Sequence, residues 1–381
     1  MSRVPGLDLL RAVAILWVMY YHAEVIGVMT GDHPVADFGW MGVDLFFVLS
    51  GYLIGGQLFR PYARGLAPQP GRFYARRLLR TLPAYLVVVG LYFTWPAFNE
   101  RAAIQPLWQF LTFTENLLID FSHPKSFSHV WSLCVEEQFY LVAPLVVWLA
   151  LRRPAAWKGV AICAAVLVGG MLLRAWIWGH DIGPIQHLTE GPGNVFQRYQ
   201  ERIYYPTWTR LDGLLAGVVL AMVAAFRPDL WRRVLARGNA LMAVGLVMVA
   251  VSIWLLAKQR DFIPTVFGYP LLSWGLAALT AAAASPTSLL GRWRIPGAGW
   301  IAAMAYSLYL THKQVYHMVH VAVGTGLDDR PVLAVAAYAG AALSAGALLY
   351  FAVERPFLKL RDRLDGARGP GPIPAAEEPA L

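Results

Sequence analysis

The chain has 381 residues, 57% of them hydrophobic and 14% charged, with a mean hydropathy of +0.48 and a net charge of +9. A soluble domain carries about 25% charged residues, so this composition excludes an ordinary water-soluble fold and points to a protein whose solvent is the bilayer. The positive excess needs no nucleic-acid partner, because basic clusters beside apolar segments fit lipid headgroups better than a phosphate-backbone groove.

Windows of about 20 apolar residues predict ten spans, near 8–29, 40–59, 81–98, 138–151, 160–178, 208–226, 239–257, 265–284, 300–324 and 332–352. The fourth is short and extends backward through "WSLCVEEQFY". The expected fold is an all-α polytopic membrane protein with both termini cytoplasmic. With that orientation the inner segments hold 21 Lys and Arg and the outer segments 8, with Arg11, Arg174 and Lys313 inside spans. Adding or dropping one span scrambles this bias. The first segment is read as a retained span, not a cleaved leader. It is long, carries acids at both ends and lacks a small-x-small cleavage site.

A charged group in a span costs roughly 2.5–3.5 kcal/mol on the insertion scale and usually marks function. In the first span Arg11 and His22 are eleven residues apart, which at about 100° per residue puts them on one stripe. At 1.5 Å rise they lie about 16 Å apart along the axis. Taken alone, the pair fits either a snorkelling arginine with a packed histidine or a site. Asp44 opens the second span at the depth expected for His22. It reads either as an acid favoured by the helix dipole or as the group that orients an imidazole base.

Arg77 and Arg80, three apart at the start of the third span, suit a multiply charged phosphate ligand as well as plain topology determination. In "FSHVWSLCVEEQFYLVAPL", Ser132, Glu136 and Tyr140 share one helical face and Glu137 points elsewhere. His129 joins that face if the helix starts early enough. Cys134 and Cys163 match neither a metal spacing nor a disulfide framework and read as small packing residues. Further on come "TRLDGLLAG" with Arg210 and Asp212, "YSLYLTHK" with Tyr306, Tyr309 and His312, and "VERPF", where proline ends a helix.

The longest outer segments, 99–135 and 179–207, carry Trp108, Trp131, Phe196, Tyr199, Tyr204 and Tyr205. These aromatics suit sugar stacking as well as an interfacial belt. Residues 361–381, rich in Pro, Gly and Ala, read as a disordered cytoplasmic tail after a membrane domain over 1–360. No nucleophile elbow, zinc-protease helix or phosphate-cradling glycine loop is present, and no metal-ligand set is expected.

In combination these stretches resemble the acyltransferase-3 family of integral-membrane acyltransferases. The resemblance is carried by the Arg-x10-His of "RAVAILWVMYYH", "GVDLFFVLSGYLI", the Arg-x-x-Arg of "RRLLR", "VWSLCVEEQFYL", "RLDGLLAG", "YSLYLTH" and "ERPF", in order over about residues 1–360. It implies ten core spans in the bacterial inner membrane. It also implies an acyl-CoA donor, typically acetyl-CoA, taken from the cytoplasm, and a hydroxyl acceptor on an envelope sugar, glycoconjugate or glycosylated metabolite. Arg11, Arg77 and Arg80 then meet the donor phosphates, and His22 is the catalytic base, oriented by Asp44, Glu136 or Glu137. Ser132, Arg210, Asp212, Tyr309 and His312 stand as acceptor-binding residues.

Lys313 and Gln314 depart from the aromatic and proline the family often has after "YLTH". Some members carry an added hydrolase-like domain, and this chain is expected to finish the reaction itself or hand it to another protein. The competing class is a transporter or flippase of lipid-linked glycans or polyketides, which intramembrane charges and glycine-rich spans also fit.

Overall fold

The computed structural model describes residues 4–28, 34–66, 69–121, 123, 125–152, 156–327 and 330–367. Arg3, Arg153 and Arg368 of the charge count and residues 368–381 of the expected tail lie outside them. The described chain is helical, with a single isolated parallel bridge between Ala103 and Lys125.

A long helix stands at each of the ten expected positions. They are α1 (Pro5–Val25), α2 (Met41–Ala63), α3 (Pro70–Thr94), α4 (Trp131–Leu151), α5 (Ala156–Ile177), α6 (Asp212–Phe226), α7 (Gly238–Leu256), α8 (Tyr269–Ala284), α9 (Ala298–Val323) and α10 (Pro331–Leu349). Six segments of the described chain are long and apolar enough to cross a membrane, and α6 joins them if it and Pro228–Ala236, bent by 115°, form one broken span. The protein is therefore a multi-pass membrane protein. The three long helices outside that set, α1, α3 and α9, carry the polar residues singled out in the sequence: Arg11 and His22, Arg77 and Arg80, and Tyr309 and His312. Those polar residues lower their hydropathy.

Helix starts follow local chemistry. Prolines occupy the first turn of α1, α3 and α10, where a missing N–H costs nothing. Helix α3 begins at Pro70, well before the expected residue 81, because its first three turns are an arginine-rich amphipathic extension of the apolar segment. An eleventh helix, α11 (Arg355–Ala367), continues from a π-turn at Tyr350–Glu354, so the first seven residues of the expected tail are helical.

Helix α1 sits centrally and packs on α2, α8 and α9. Helices α2 and α6 make the most intimate crossing. A Cβ on Gly51 would strike the Leu214 carbonyl, and one on Gly217 would strike the Val48 carbonyl and the Tyr52 amide. Two backbones in contact require hydrogen at both positions. Helix α11 lies across the start of α3, where Arg72 Nε and Arg76 Nε donate to the two oxygens of Asp365 at 2.9 and 2.6 Å.

Candidate active site

A cavity of about 470 Å³ runs between α1, α2, α3, α4, α9 and α11. At one end stand Arg11, Arg76, Arg77, Arg80 and Arg361, and at the other Ser132 and Tyr309. The expected donor-binding set of Arg11, Arg77 and Arg80 is thus gathered on one wall. Arg76 and Arg361 also line the mouth, and sequence reasoning did not place them there. Arg361 lies beyond the last apolar span, and only the docking of α11 brings it to the cavity.

The carboxylates of α4 sit midway. Glu136 accepts from Ser50 Oγ at 2.8 Å and from the Tyr140 hydroxyl at 2.6 Å, while the Arg77 guanidinium stacks 4.4 Å from the Tyr140 ring centroid. Glu137 lines the same cavity beside Thr81. Neither carboxylate hydrogen-bonds to His22.

At the far end Ser132 Oγ and the Tyr309 hydroxyl are 2.7 Å apart, and the Tyr309 hydroxyl lies 2.7 Å from the His129 carbonyl. Tyrosine has one proton. The carbonyl must receive it, so Ser132 donates to Tyr309. The Tyr309 ring belongs both to the cavity wall and to a cluster of three imidazoles behind it, with centroids 5.4 Å from His129 and 5.8 Å from His312.

The imidazoles are His22 from α1, His129 from the turn Ser128–Val130 that leads into α4, and His312 from α9. Their centroids are 5.9 Å (His22–His129), 4.9 Å (His22–His312) and 5.2 Å (His129–His312) apart. His312 Nδ1 lies 2.9 Å from the carbonyl oxygen of Leu308, one helical turn back. A carbonyl only accepts, so Nδ1 carries the proton. In the neutral ring Nε2 is then an acceptor, and it lies 2.7 Å from His22 Nδ1, which donates. The free lone pair of neutral His22 is left on Nε2. Among the described residues no group of three or more His, Cys, Asp or Glu side chains is placed to hold a metal ion.

Asp44, the other expected orienter, is 2% exposed and accepts from Arg210 Nη2 at 2.7 Å. The Arg210 guanidinium is caged by Tyr269, Tyr204 and Trp131, at 4.4, 4.5 and 5.2 Å from their centroids. Asp212 accepts two bonds from Arg174, at 2.7 and 3.1 Å, and Arg174 also donates to the Thr209 carbonyl. Two of the expected acceptor-binding residues, Arg210 and Asp212, therefore sit in buried ion pairs that fasten α2 and α5 to the start of α6, while Ser132, Tyr309 and His312 gather at the far end of the cavity.

Of the aromatics expected to suit a sugar, Trp131, Tyr199, Tyr204 and Tyr205 are buried, whereas Trp108 and Phe196 are exposed. Lys313 meets Glu100 at 3.4 Å and donates to Ser128 Oγ at 3.1 Å, which accommodates its charge in α9.

The chain matches the model of the acyltransferase domain of the acyltransferase-3 family over residues 4–351. It belongs to that family. It is 28% identical over 333 residues to the putative peptidoglycan O-acetyltransferase YrhL of Bacillus subtilis, covering 82% of this chain and 48% of the relative. It is 27% identical over 337 residues to the O-acetyltransferase OatA of Staphylococcus aureus, covering 83% and 51%. The peptidoglycan O-acetyltransferase OatA of Listeria monocytogenes is 28% identical over 331 residues, covering 82% and 49%. The chain thus spans about half the length of the curated relatives it matches. No solved structure matches it.

Proposed function

We propose that the chain is a ten-span O-acyltransferase of the bacterial cytoplasmic membrane, with both termini inside. It takes an acyl group, normally acetyl, from cytoplasmic acyl-CoA and passes it to a hydroxyl of an envelope sugar, peptidoglycan being the acceptor class suggested by its relatives' names. The observation that carries the reading is one polar cavity with an arginine-lined mouth at one end and an oriented imidazole beyond the other.

A CoA thioester presents several phosphate charges on a nucleotide, then a long thin arm, then the acyl carbon. Arginine forks at the mouth match phosphate geometry. The walls beyond them, Phe46, Phe47, Leu49, Leu53 and Ile54 with Ser50, Gln57 and Thr81 among them, suit a chain of methylenes and amides. Arg11 and His22 lie about 16 Å apart along α1, a distance such an arm covers.

His22 then works as a general base. The bond from its Nδ1 to His312 fixes the tautomer, so Nε2 removes the acceptor hydroxyl's proton as the oxygen attacks the thioester carbon. Collapse breaks the C–S bond, and the thiolate leaves with the proton His22 took. A covalent acyl-His22 relay would use the same lone pair, and a burst of thiol release without acceptor separates the two routes.

The test uses the full chain in nanodiscs with acetyl-labelled acetyl-CoA and soluble peptidoglycan fragments. The reading requires acceptor-dependent release of free CoA and alkali-labile label on a sugar hydroxyl. Movement of unmodified glycan across the bilayer with no CoA release would replace it with the transporter class.

A further inference from the structure

We propose that His129 is a second catalytic residue of this site, hydrogen-bonding the reacting acyl carbonyl as negative charge develops on its oxygen. The inference rests on the acyl-transfer reading above and adds a role to it.

His129 is 2% exposed, yet neither of its ring nitrogens has a hydrogen-bond partner among the described residues, although the Tyr309 backbone approaches the ring. A buried polar atom left unpaired costs about 1–3 kcal/mol, so buried donors and acceptors in native proteins are nearly always partnered. A buried histidine whose ring nitrogens meet nothing beyond the approach of the Tyr309 backbone has hydrogen-bonding capacity left for a ligand.

The ring cannot easily turn to find a partner of its own. Its backbone carbonyl is held by the Tyr309 hydroxyl at 2.7 Å, and the amide of Phe127, two residues earlier, donates to Glu100 at 2.9 Å. The Phe127 ring packs edge-on against it at 5.2 Å. The turn and its imidazole are therefore fixed before any substrate arrives, and a preorganised donor stabilises a transition state without a reorganisation cost.

Position limits the role. His22 and His312 are locked to each other, so only Nε2 of His22 is free to take a proton. His129 stands apart from that pair, yet its ring packs edge-on against His22 at 5.9 Å and against Tyr309 of the cavity wall at 5.4 Å, so a group that reaches His22 also meets His129. A neutral imidazole always carries one N–H, so His129 presents a donor in either tautomer. In the addition step the acceptor oxygen bonds to the acyl carbon and its proton moves to His22 Nε2. The carbonyl becomes an alkoxide that accepts the His129 N–H. In the collapse step the C–S bond breaks, the carbonyl reforms, and sulfur takes the proton from His22. His129 ends as it began.

The full-length protein in nanodiscs would be compared as wild type, His129→Ala, His129→Gln and His129→Phe, with acetyl-CoA and peptidoglycan fragments. Removing one oxyanion donor lowers kcat about 10²–10³-fold. The expected result is that loss in His129→Ala and His129→Phe, with donor KM and melting temperature near wild type. His129→Gln keeps an N–H and recovers part of kcat. The acidic limb of the pH profile, where the base becomes protonated, stays where it was, because His22 remains the base. Wild-type kcat in His129→Ala, loss confined to KM or melting temperature, no recovery in His129→Gln, or disappearance of the pH limb would each overturn the role. A wild-type protein that transfers no acetyl group would instead overturn the acyl-transfer reading itself.

Discussion

His22 Nδ1 donates to His312 Nε2 at 2.7 Å, and His312 in turn is held by the Leu308 carbonyl. An imidazole and a backbone carbonyl, not a carboxylate, thus orient the candidate base. His312 is a positioning residue, and the chain of donors leaves His22 with one defined lone pair. His312→Ala should fold and bind donor but lose about 10²–10⁴ in kcat, the range general-base catalysis contributes. His312→Gln, whose amide can accept from His22, should recover part of it. Steady-state kinetics checks this, and unchanged kcat in His312→Ala would remove the pair from the mechanism.

The arginines at the mouth predict a different signature. A charge-assisted hydrogen bond is worth about 1.5–3 kcal/mol, so Arg77→Ala or Arg80→Ala should raise donor KM about 10- to 150-fold with little change in kcat. Lysine should restore charge but not the bidentate fork and recover only part. An equal loss in kcat with KM unchanged would show that these side chains act at the chemistry and not at the phosphates.

Asp44 and Arg210 predict a stability defect. Both are almost fully buried and meet at 2.7 Å. Removing one partner strands the other's charge, at a cost of about 3–5 kcal/mol. Asp44→Ala should lower the melting temperature in detergent and the yield of folded protein, and a double apolar replacement of Asp44 and Arg210 should be milder than either single change. A stable, folded and inactive Asp44→Ala would return Asp44 to the catalytic set.

Glu115 predicts a pH dependence in the segment between α3 and α4. It lies in the turn Glu115–Leu117, outside the long helices, and burial pushes its carboxyl up from 4.5 to about 8 against the pull of the Gln105 amide and the Lys313 ammonium. The folded chain therefore holds this proton more tightly than the unfolded one. Its contribution to stability is fully present below 4.5, falls as pH rises from 4.5 to about 8, and is flat above. Thermal unfolding across that window should show a downward slope that Glu115→Gln reduces. An identical slope in the variant would contradict the assignment.

The helices were legible because hydropathy and charge asymmetry are local properties, and the Arg11–His22 stripe was legible because helical geometry is. The partner of His22 was not. His312 lies 290 residues away in sequence, and no periodicity couples two helices across that separation. Asp44, Glu136 and Glu137 were reasonable orienters by type, but Asp44 meets Arg210, Glu136 meets Ser50 and Tyr140, and Glu137 faces the cavity beside Thr81. His129 was noticed only through its spacing from Glu136. A one-turn break at Ser128–Val130 changes the phase there and sends the ring to the imidazoles, away from the carboxylate face. The aromatics of the outer segments were ambiguous for a related reason: a tyrosine or tryptophan near charge suits a sugar or a guanidinium equally, and here Arg210 holds Trp131 and Tyr204.

His22, behind the Ser132–Tyr309 end of an arginine-mouthed cavity, is the group proposed to make the acceptor hydroxyl reactive. The direct measurement is single-turnover acetyl transfer by His22→Ala in nanodiscs, with donor binding measured on the same sample. The account predicts normal acetyl-CoA affinity and no acetyl ester formed. Ester formation at the wild-type rate in that variant would contradict it.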